Sequence, residues 1–600
     1  MLHEHYPINP LATFAVAVCT TLLLACNPAQ KAGTAGGTEQ LPQPLQQTVP
    51  ASDEDAVSKV VTSQIVDSPT QPETQPLKRE RMPERQRTMP ATEQAVLYGN
   101  NGAGYALRSI RPASEELDRE NYAHFDDAGV KRVAENPVST FSIDVDTGAY
   151  SNARRMLNAG QLPARDAVRV EEMINYFSYN YPAPKTDTPP FAVYTEVGPT
   201  PWNANSRLLH IGIRGFDAAQ QKLPASNLVF LVDVSGSMQS KDKLGLLKSA
   251  LKLLTKQLHK DDMISIVVYA GASGIVLEPT NGNEHAKISA ALDALTAGGS
   301  TNGAAGIRLA YSIAEQAFIK GGINRVLLAT DGDFNVGTVS FEALKNLVEE
   351  KRNSGISLTT LGFGSGNYND QLMEQLADAG NGNYAYIDTL NEAQKVLVDE
   401  MHSTLNTIAK DVKIQVEFNP TVVAEYRLIG YENRTLARED FNNDKVDAGE
   451  IGAGHTLTAL YEITLNSSKG KRIDALRYGI NSESVNRHSD EIALLRLRYK
   501  QPDGDTSKLI ESTIKTADVE PKLTDTSDNF RFAASVAAFG QLLRGGRYTD
   551  NFDYDAVLEL ARNARGQDPF GYRGEFLSLV NLAKSLSGSA APGADTRASR

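Results

Sequence analysis

The chain has 600 residues, enough for several domains, and its hydrophobic content of 41% is typical of globular proteins. Its formal net charge of −13 argues against nucleic acid as a partner, because an acidic surface repels a phosphate backbone. The sequence has 2 cysteines, Cys19 and Cys26, which excludes a scaffold held by several disulfides and a zinc site built from cysteines.

The N-terminus has the features of an export signal, assigned here to residues 1–25. Residues 11–25 form an uncharged apolar stretch, too short for a transmembrane helix and suited to a signal peptide. The stretch leads into the sequence LLAC, which resembles the lipobox of bacterial lipoproteins. That resemblance implies cleavage after Ala25 and lipidation of the Cys26 thiol, although the preceding residues lack the usual Lys or Arg. An ordinary signal peptide is the alternative.

Residues 26–94 are predicted to be a disordered tether. They are rich in Pro, Gln, Thr and Ser and bury too little apolar surface to offset the entropy of ordering. A basic run at 78–87 is either a solvated part of this linker or a contact with anionic headgroups. Because Asn27 rather than Asp follows the cysteine, we expect an outer-membrane anchor, with the folded part in the periplasm or on the surface.

Residues 95–205 form an N-terminal block with mixed patterning. Residues 140–146 alternate as a strand and 166–176 predict a helix. Asp144 and Asp146 are interpreted as a turn at the end of that strand, with a cation site as the alternative. Four nearby aromatic residues are expected to pack in a core, with a carbohydrate-binding surface as the alternative: Tyr176, Phe177, Tyr179 and Tyr181.

Residues 226–405 alternate apolar strands with amphipathic helices. Strands are predicted at 227–233, 263–269, 275–277, 325–330, 357–363 and 384–387. Helices are predicted at 241–260, 285–295, 302–318, 341–352, 370–379 and 391–405. This order predicts an α/β fold with a doubly wound, mostly parallel sheet, in which ligands bind at the carboxyl ends of the strands.

Residues 411–586 have a different pattern. Segments up to about residue 515 alternate with a period of two, which predicts an antiparallel, sandwich-like β region. Helices are predicted to follow at 529–544, 555–563 and 574–585. The tail at 587–600 is small and polar and is predicted to be disordered.

Oxygen-bearing side chains cluster at the predicted strand ends of the middle region. Asp233 ends one buried strand and begins the sequence Asp-x-Ser-x-Ser with Ser235 and Ser237, while Thr301 precedes a helix and Asp331 ends another strand. Parallel strands end at one edge of a sheet, so these side chains are expected to converge. Hard cations prefer oxygen ligands, so the set predicts a site for Mg²⁺, or for Mn²⁺ or Ca²⁺.

This three-part motif resembles the metal-ion-dependent adhesion site of von Willebrand factor A domains, and the likeness covers residues 226–405. The resemblance implies direct ligation through three hydroxyls: Ser235, Ser237 and Thr301, with Ser300 as the rival of Thr301. It implies that Asp233 and Asp331 bind the ion directly or through water. In relatives with this site, metal occupancy can couple to movement of the last helix, here 391–405.

The flanks STFSIDVDT and RVEEMINYF, with the C-terminal region, resemble a subgroup of predicted bacterial lipoproteins over about residues 121–586. The combined resemblance implies a lipid-anchored envelope protein that binds a protein partner, whose Asp or Glu completes the metal shell. No enzyme activity is expected, because no general base is evident beside the serines. A metal-assisted hydrolase and a purely structural envelope protein are the alternatives.

Overall fold

The computed structural model describes residues 120–589, apart from 186, 218–223, 333–339, 475 and 478–487. The predicted signal peptide, the tether, the basic run, Cys26 and the tail beyond 589 lie outside these residues. Within the described part of the chain, no helix is both long enough and apolar enough to cross a membrane.

The strands fall into groups before, within and after the middle region. In chain order they are β1 Lys131–Arg132, β2 Val138–Ser142, β3 Phe191–Thr200, β4 Asn203–Gly215, β5 Ser226–Asp233, β6 Met263–Tyr269, β7 Ser273–Asn281, β8 Ile323–Thr330, β9 Ser357–Phe363, β10 Tyr384–Ile387, β11 Thr407–Phe418, β12 Val423–Ile429, β13 Ile451–Gly452, β14 Thr456–Leu465, β15 Glu491–Lys500 and β16 Lys508–Lys515.

The helices follow the same division. They are α1 Gly148–Asn158, α2 Val170–Asn175, α3 Leu246–Thr255, α4 His285–Ala294, α5 Gly303–Gln316, α6 Phe341–Asn353, α7 Asp370–Ala379, α8 Leu390–Gln394, α9 Met401–Leu405, α10 Asp528–Leu543, α11 Tyr554–Asn563 and α12 Tyr572–Ser589. A π-helical turn, Lys241–Gly245, leads into α3, and another, Lys395–Asp399, separates α8 from α9.

Residues 226–405, called the α/β domain below, form a sheet with the strand order β10-β9-β8-β5-β6-β7. Its strands pair in parallel except for β7, which is antiparallel to β6. Strand β5 is buried along its whole length, because helices cover both faces of the sheet. One hydrophobic cluster includes α3 and α4, and another, on the opposite face, includes α5 and α6. The predicted doubly wound α/β fold is confirmed.

Several predicted elements of the α/β domain have the predicted bounds, among them β6, β9, α7 and β10. Strand β7 is longer than predicted: it lies at the edge of the sheet, and its apolar residues are continued on both sides by residues that are mostly polar or small. The single helix predicted at 391–405 is wrong in detail: the π-helical turn divides it into α8 and α9.

The helix predicted at 166–176 is also wrong in detail. The chain makes a short 3₁₀ turn, Arg165–Ala167, and only then enters α2. Arg169 between them has an extended backbone, and its buried guanidinium bonds with Asp370 at the start of α7. The break therefore lies where the chain makes a buried ion pair with the α/β domain, a contact between distant residues that no local pattern specifies.

The residues before and after the α/β domain, 120–217 and 406–589, are called the flanking body below, because their strands share two sheets. One antiparallel sheet has the order β1-β12-β14-β4-β3, and the other has β13-β11-β15-β16, with β2 also paired to β11. Side chains of both sheets share a hydrophobic core, so the two sheets form a sandwich. Neither sheet is complete without strands from both sides of the α/β domain.

Helices α1, α2, α10, α11 and α12 cover the outer face of the first sheet. Their core includes Leu208 of β4 and Leu460 of β14 together with the aromatic side chains of Phe532 and Phe576. The aromatic residues predicted to pack are buried in this core: Tyr176, Phe177, Tyr179 and Tyr181. The packing interpretation is therefore confirmed for these four side chains.

Asp144 and Asp146 lie beyond the end of β2, where the chain turns toward α1. The backbone N–H of Asp146 donates to Asp144 Oδ1 at 3.0 Å, which confirms the turn. Both carboxylates are buried and are paired with Arg434, at 3.2 Å and 3.4 Å respectively. They lie in the contact between the flanking body and the α/β domain, since Asp146 also accepts the backbone N–H of Tyr384 in β10.

Candidate metal centre

Two adjacent strands deliver the predicted carboxylates to one edge of the sheet. Strands β5 and β8 are parallel neighbours, with Val232 opposite Ala329. Asp233 is the last residue of β5, and Asp331 immediately follows β8. Both side chains are fully buried. The strand ends therefore bring together two acidic groups from positions 98 residues apart in the sequence.

The carboxylate of Asp233 is held by hydrogen bonds on both oxygens. Oδ1 accepts the backbone N–H of Ser235 at 2.8 Å, and Oδ2 accepts the hydroxyls of Thr330 at 2.8 Å and Tyr269 at 3.2 Å. Burial raises the pKa of Asp233, the hydrogen bonds from Ser235 and Thr330 oppose this, and Asp331 adds to it. The environment therefore favours a compensating positive charge beside this carboxylate.

The hydroxyls of the sequence Asp-x-Ser-x-Ser lie next to each other. Ser235 Oγ and Ser237 Oγ are 3.0 Å apart, and Ser235 is buried while Ser237 is half-buried. The segment then turns through a short 3₁₀ helix, Gly236–Gln239. These two side chains and Asp233 thus form one compact group of oxygen atoms at the end of β5.

The Gly-rich loop before α5 is attached to this segment by its backbone. Gly298 N–H donates to Val234 O at 2.7 Å, and Gly236 N–H donates to Gly299 O at 3.0 Å. Thr301 follows two residues later and is half-buried, whereas Ser300 is exposed, with its hydroxyl beside Gly271 in the turn after β6. These backbone contacts attach the loop that precedes Thr301 to the Asp233 segment. The role of Thr301, and the choice between Thr301 and Ser300 as a ligand, stay predictions.

The sequence reasoning missed two residues that contact Asp331. Lys243 Nζ lies 2.9 Å from Asp331 Oδ2, and Asn367 Nδ2 donates to the same oxygen at 3.3 Å. One signal for Lys243 was available, because it lies four residues before Leu247 on the apolar side of the helix. Asn367 belongs to the Gly-rich loop that follows β9.

The chemistry of these side chains fits a hard divalent cation. The carboxylates and hydroxyls offer oxygen atoms only, and buried Asp233 and Asp331 both favour a nearby cation. The ammonium of Lys243 already supplies one positive charge to Asp331. The residues that would hold a metal ion here are Asp233, Ser235, Ser237, Thr301 and Asp331.

Comparison with known families divides the chain into three matched segments. Residues 227–400 match the family model of the von Willebrand factor type A domain, and residues 116–210 match the model named von Willebrand factor. Residues 403–586 match the model described as "Uncharacterized protein YfbK, C-terminal". The α/β domain is therefore a von Willebrand factor type A domain, a class that often mediates interactions between proteins and commonly binds a divalent metal.

Among curated relatives, "Uncharacterized protein YfbK" of Escherichia coli (strain K12) is 51% identical over 472 residues, which cover 78% of this chain and 81% of that protein. The inter-alpha-trypsin inhibitor heavy chain H3 of Homo sapiens is 25% identical over 270 residues, which cover 41% of this chain and 30% of that protein.

Among solved structures, a von Willebrand factor type A protein from Catenulispora acidiphila is similar with a TM-score of 0.37 at 15% identity, covering 65% of this chain and 89% of that one. The ArnB paralog VWA2 from Sulfolobus acidocaldarius has a TM-score of 0.32 at 13% identity, covering 66% of this chain and 98% of that one.

Proposed function

Because this chain belongs to the family of the Escherichia coli protein YfbK, we propose that it is an envelope protein that binds a protein partner through a divalent metal ion. The observation that carries the proposal is the group of oxygen atoms at the adjacent ends of β5 and β8. In this proposal Mg²⁺ is the preferred ion, and Mn²⁺ or Ca²⁺ is the alternative.

The side chains have distinct roles in this proposal. The hydroxyls of Ser235, Ser237 and Thr301 bind the ion, and Asp233 and Asp331 compensate its charge directly or through water. A bound divalent ion supplies an electrophilic position for one further oxygen ligand. We propose that an Asp or Glu side chain of the partner fills that position.

The hydrogen bonds around Asp233 support a preorganised site. Thr330 and Tyr269 hold Oδ2, so the Asp233 carboxylate is oriented without a metal ion. Ser235 N–H holds Oδ1, which keeps the first hydroxyl of the motif close to the carboxylate. A partner's carboxylate therefore meets groups that need little rearrangement.

We propose binding rather than catalysis for this site. Four histidines of the described residues bond to groups outside the serine segment: His210 to Tyr181, His285 to Leu258 O, and His124 and His488 to nearby carboxylates. Activation of Ser235 or Ser237 as a nucleophile needs an adjacent base. This distribution supports the proposal that the serines bind an ion.

The cellular location rests on the sequence alone. We propose that a lipid on Cys26 anchors the chain in the envelope, most simply the outer membrane, with residues 26–94 as a tether. Such a tether gives the metal centre reach toward a partner in the periplasm or at the surface.

The experiment is a capture of envelope proteins by the full chain, with Mg²⁺ or with EDTA. Ser235→Ala removes a proposed ligand, and Ser249→Ala is the matched control on the exposed face of α3. A partner retained by the unmutated chain and by Ser249→Ala, only with Mg²⁺, supports the proposal. Retention that is indifferent to both EDTA and Ser235→Ala contradicts it.

A further inference from the structure

Lys243 is a buried cation aimed at the candidate metal centre. Its side chain is 9% exposed, and Nζ lies 2.9 Å from Asp331 Oδ2 and 3.0 Å from Asn367 Oδ1. Asn367 in turn donates through Nδ2 to Asp331 Oδ2 at 3.3 Å. The three side chains therefore form a closed triangle in which the ammonium compensates the carboxylate.

The Gly-rich loop after β9 makes room for this lysine. Gly364 has a φ of +76°, and a Cβ at that position would lie 2.3 Å from Lys243 Cε. The aliphatic part of Lys243 thus passes directly over the backbone of this glycine. The same loop supplies Asn367, so it both admits the ammonium and orients it toward Asp331.

A divalent cation at this centre and the Lys243 ammonium would both be compensated by the negative charge of Asp331. Asp331 is fully buried, so each positive charge near it is poorly screened by water, and two of them repel one another. Binding of a metal ion to Asp331 therefore weakens its contact with Lys243. We propose that Lys243 is a built-in competitor of the divalent ion: it stabilises Asp331 in the metal-free protein and lowers the affinity of the centre for metal.

This inference rests on the proposed function, because it concerns the same metal centre. It adds a regulation to that function: Lys243 compensates the charge of Asp331 without the ion, so a higher concentration of metal is needed to fill the centre. The π-helical turn that carries Lys243 begins four residues after Ser237, so the competing cation and two of the proposed ligands lie on one short segment of the chain.

The test is a calorimetric titration of the metal-free full chain with MgCl₂. Lys243→Met removes the ammonium and keeps an aliphatic side chain, and Lys241→Met removes an exposed charge from the same turn as the matched control. We expect Lys243→Met to lower the Kd for Mg²⁺ at least about tenfold, equivalent to about 1.4 kcal/mol. The control should stay within about twofold of the unmutated chain.

Equal Mg²⁺ affinity of Lys243→Met and the unmutated chain overturns this inference and leaves the metal centre standing. If neither protein binds Mg²⁺, the proposed metal centre fails and the inference fails with it. If Lys243→Met does not fold, Lys243→Gln repeats the titration with a neutral side chain that still donates a hydrogen bond to Asp331. Thermal unfolding is a second measurement. In EDTA, the Lys243 variant should have a lower midpoint temperature than the unmutated chain, and Mg²⁺ should raise that midpoint again.

Discussion

Arg154 of α1 makes a bidentate ion pair with Asp388, which follows β10, the last strand of the α/β domain. Nη2 lies 2.5 Å from Oδ1, and Nε lies 2.8 Å from Oδ2. The same guanidinium also donates to Glu392 of α8 and to Glu575 of α12. One buried side chain thus joins the N-terminal part of the flanking body, the end of the α/β domain and the C-terminal helix.

We expect Arg154→Met to destabilise the chain, because it leaves the buried carboxylates of Asp388 and Glu392 without their cation. The loss in the free energy of unfolding should be about 3–5 kcal/mol, measured from urea denaturation. Arg562→Met on the exposed side of α11 is the control and should change it by less than about 0.5 kcal/mol. Similar values for the two variants would contradict the joining role of Arg154.

The contact between α7 and the flanking body predicts a pH dependence of stability. Oxygen atoms of Asp144, Glu172 and Glu374 lie within 4.8 Å of one another, and Arg169 and Arg434 are the guanidiniums that pair with them. Burial raises the pKa of Glu374 to about 7, while the two arginines oppose this rise. The carboxyl groups in this contact therefore outnumber the guanidiniums that pair with them.

A carboxyl whose pKa is raised on folding holds its proton more tightly in the folded chain. Its contribution to stability is fully present below the ordinary value of 4.5 and is lost as the pH rises through about 7. We expect the free energy of unfolding to fall by about 1–3 kcal/mol between pH 5 and pH 8. Glu374→Gln should flatten this fall, whereas Glu342→Gln at an exposed position of α6 should leave it unchanged. An unchanged slope in Glu374→Gln would exclude this carboxyl as the cause.

Asp233→Asn tests metal binding separately from the stability of the fold. The amide removes the charge that burial disfavours, and its oxygen still accepts the Ser235 N–H, so the melting temperature in EDTA should stay equal or rise. In the unmutated chain, Mg²⁺ at about 100 times its Kd should add about 2.7 kcal/mol to the free energy of unfolding. The variant should lose this gain, and Asp242→Asn at an exposed position should keep it. A full Mg²⁺ gain in Asp233→Asn would place the ion elsewhere.

The two cysteines provide a matched test of lipidation. Cys26→Ser removes the proposed lipid attachment, so the chain should leave the membrane fraction, because the remaining tether is polar. Cys19 lies within the predicted signal peptide, so Cys19→Ser should leave the chain in the membrane fraction. Mass spectrometry of the N-terminal peptide should find the lipid on the unmutated chain and on Cys19→Ser, and should not find it on Cys26→Ser. A membrane-bound Cys26→Ser chain would contradict the anchor.

The α/β domain could be predicted from the sequence because its signals are local. Strands β6 and β9 are short runs of apolar, Ser and Thr residues without a charged side chain, as expected of parallel strands with both faces buried, so these runs predict the strand bounds. The positions of Asp233 and Asp331 follow from the same reasoning, since each lies at the end of such a run. Their assignment as metal ligands still stays a prediction.

The remaining features depend on contacts between distant residues. The pairing of β4 with β14 and of β2 with β11 joins segments on opposite sides of the α/β domain, and no local pattern specifies which strands are neighbours.

The sequence by itself determined the order of strands and helices in the α/β domain and the oxygen chemistry at its edge, because apolar periodicity and residue type are local properties. The tertiary structure decided the shared sheets, the break between α8 and α9, and the approach of Lys243 to Asp331. Those arrangements depend on which buried charges and backbone groups find partners across the fold, and such pairing is settled only when the whole chain is packed.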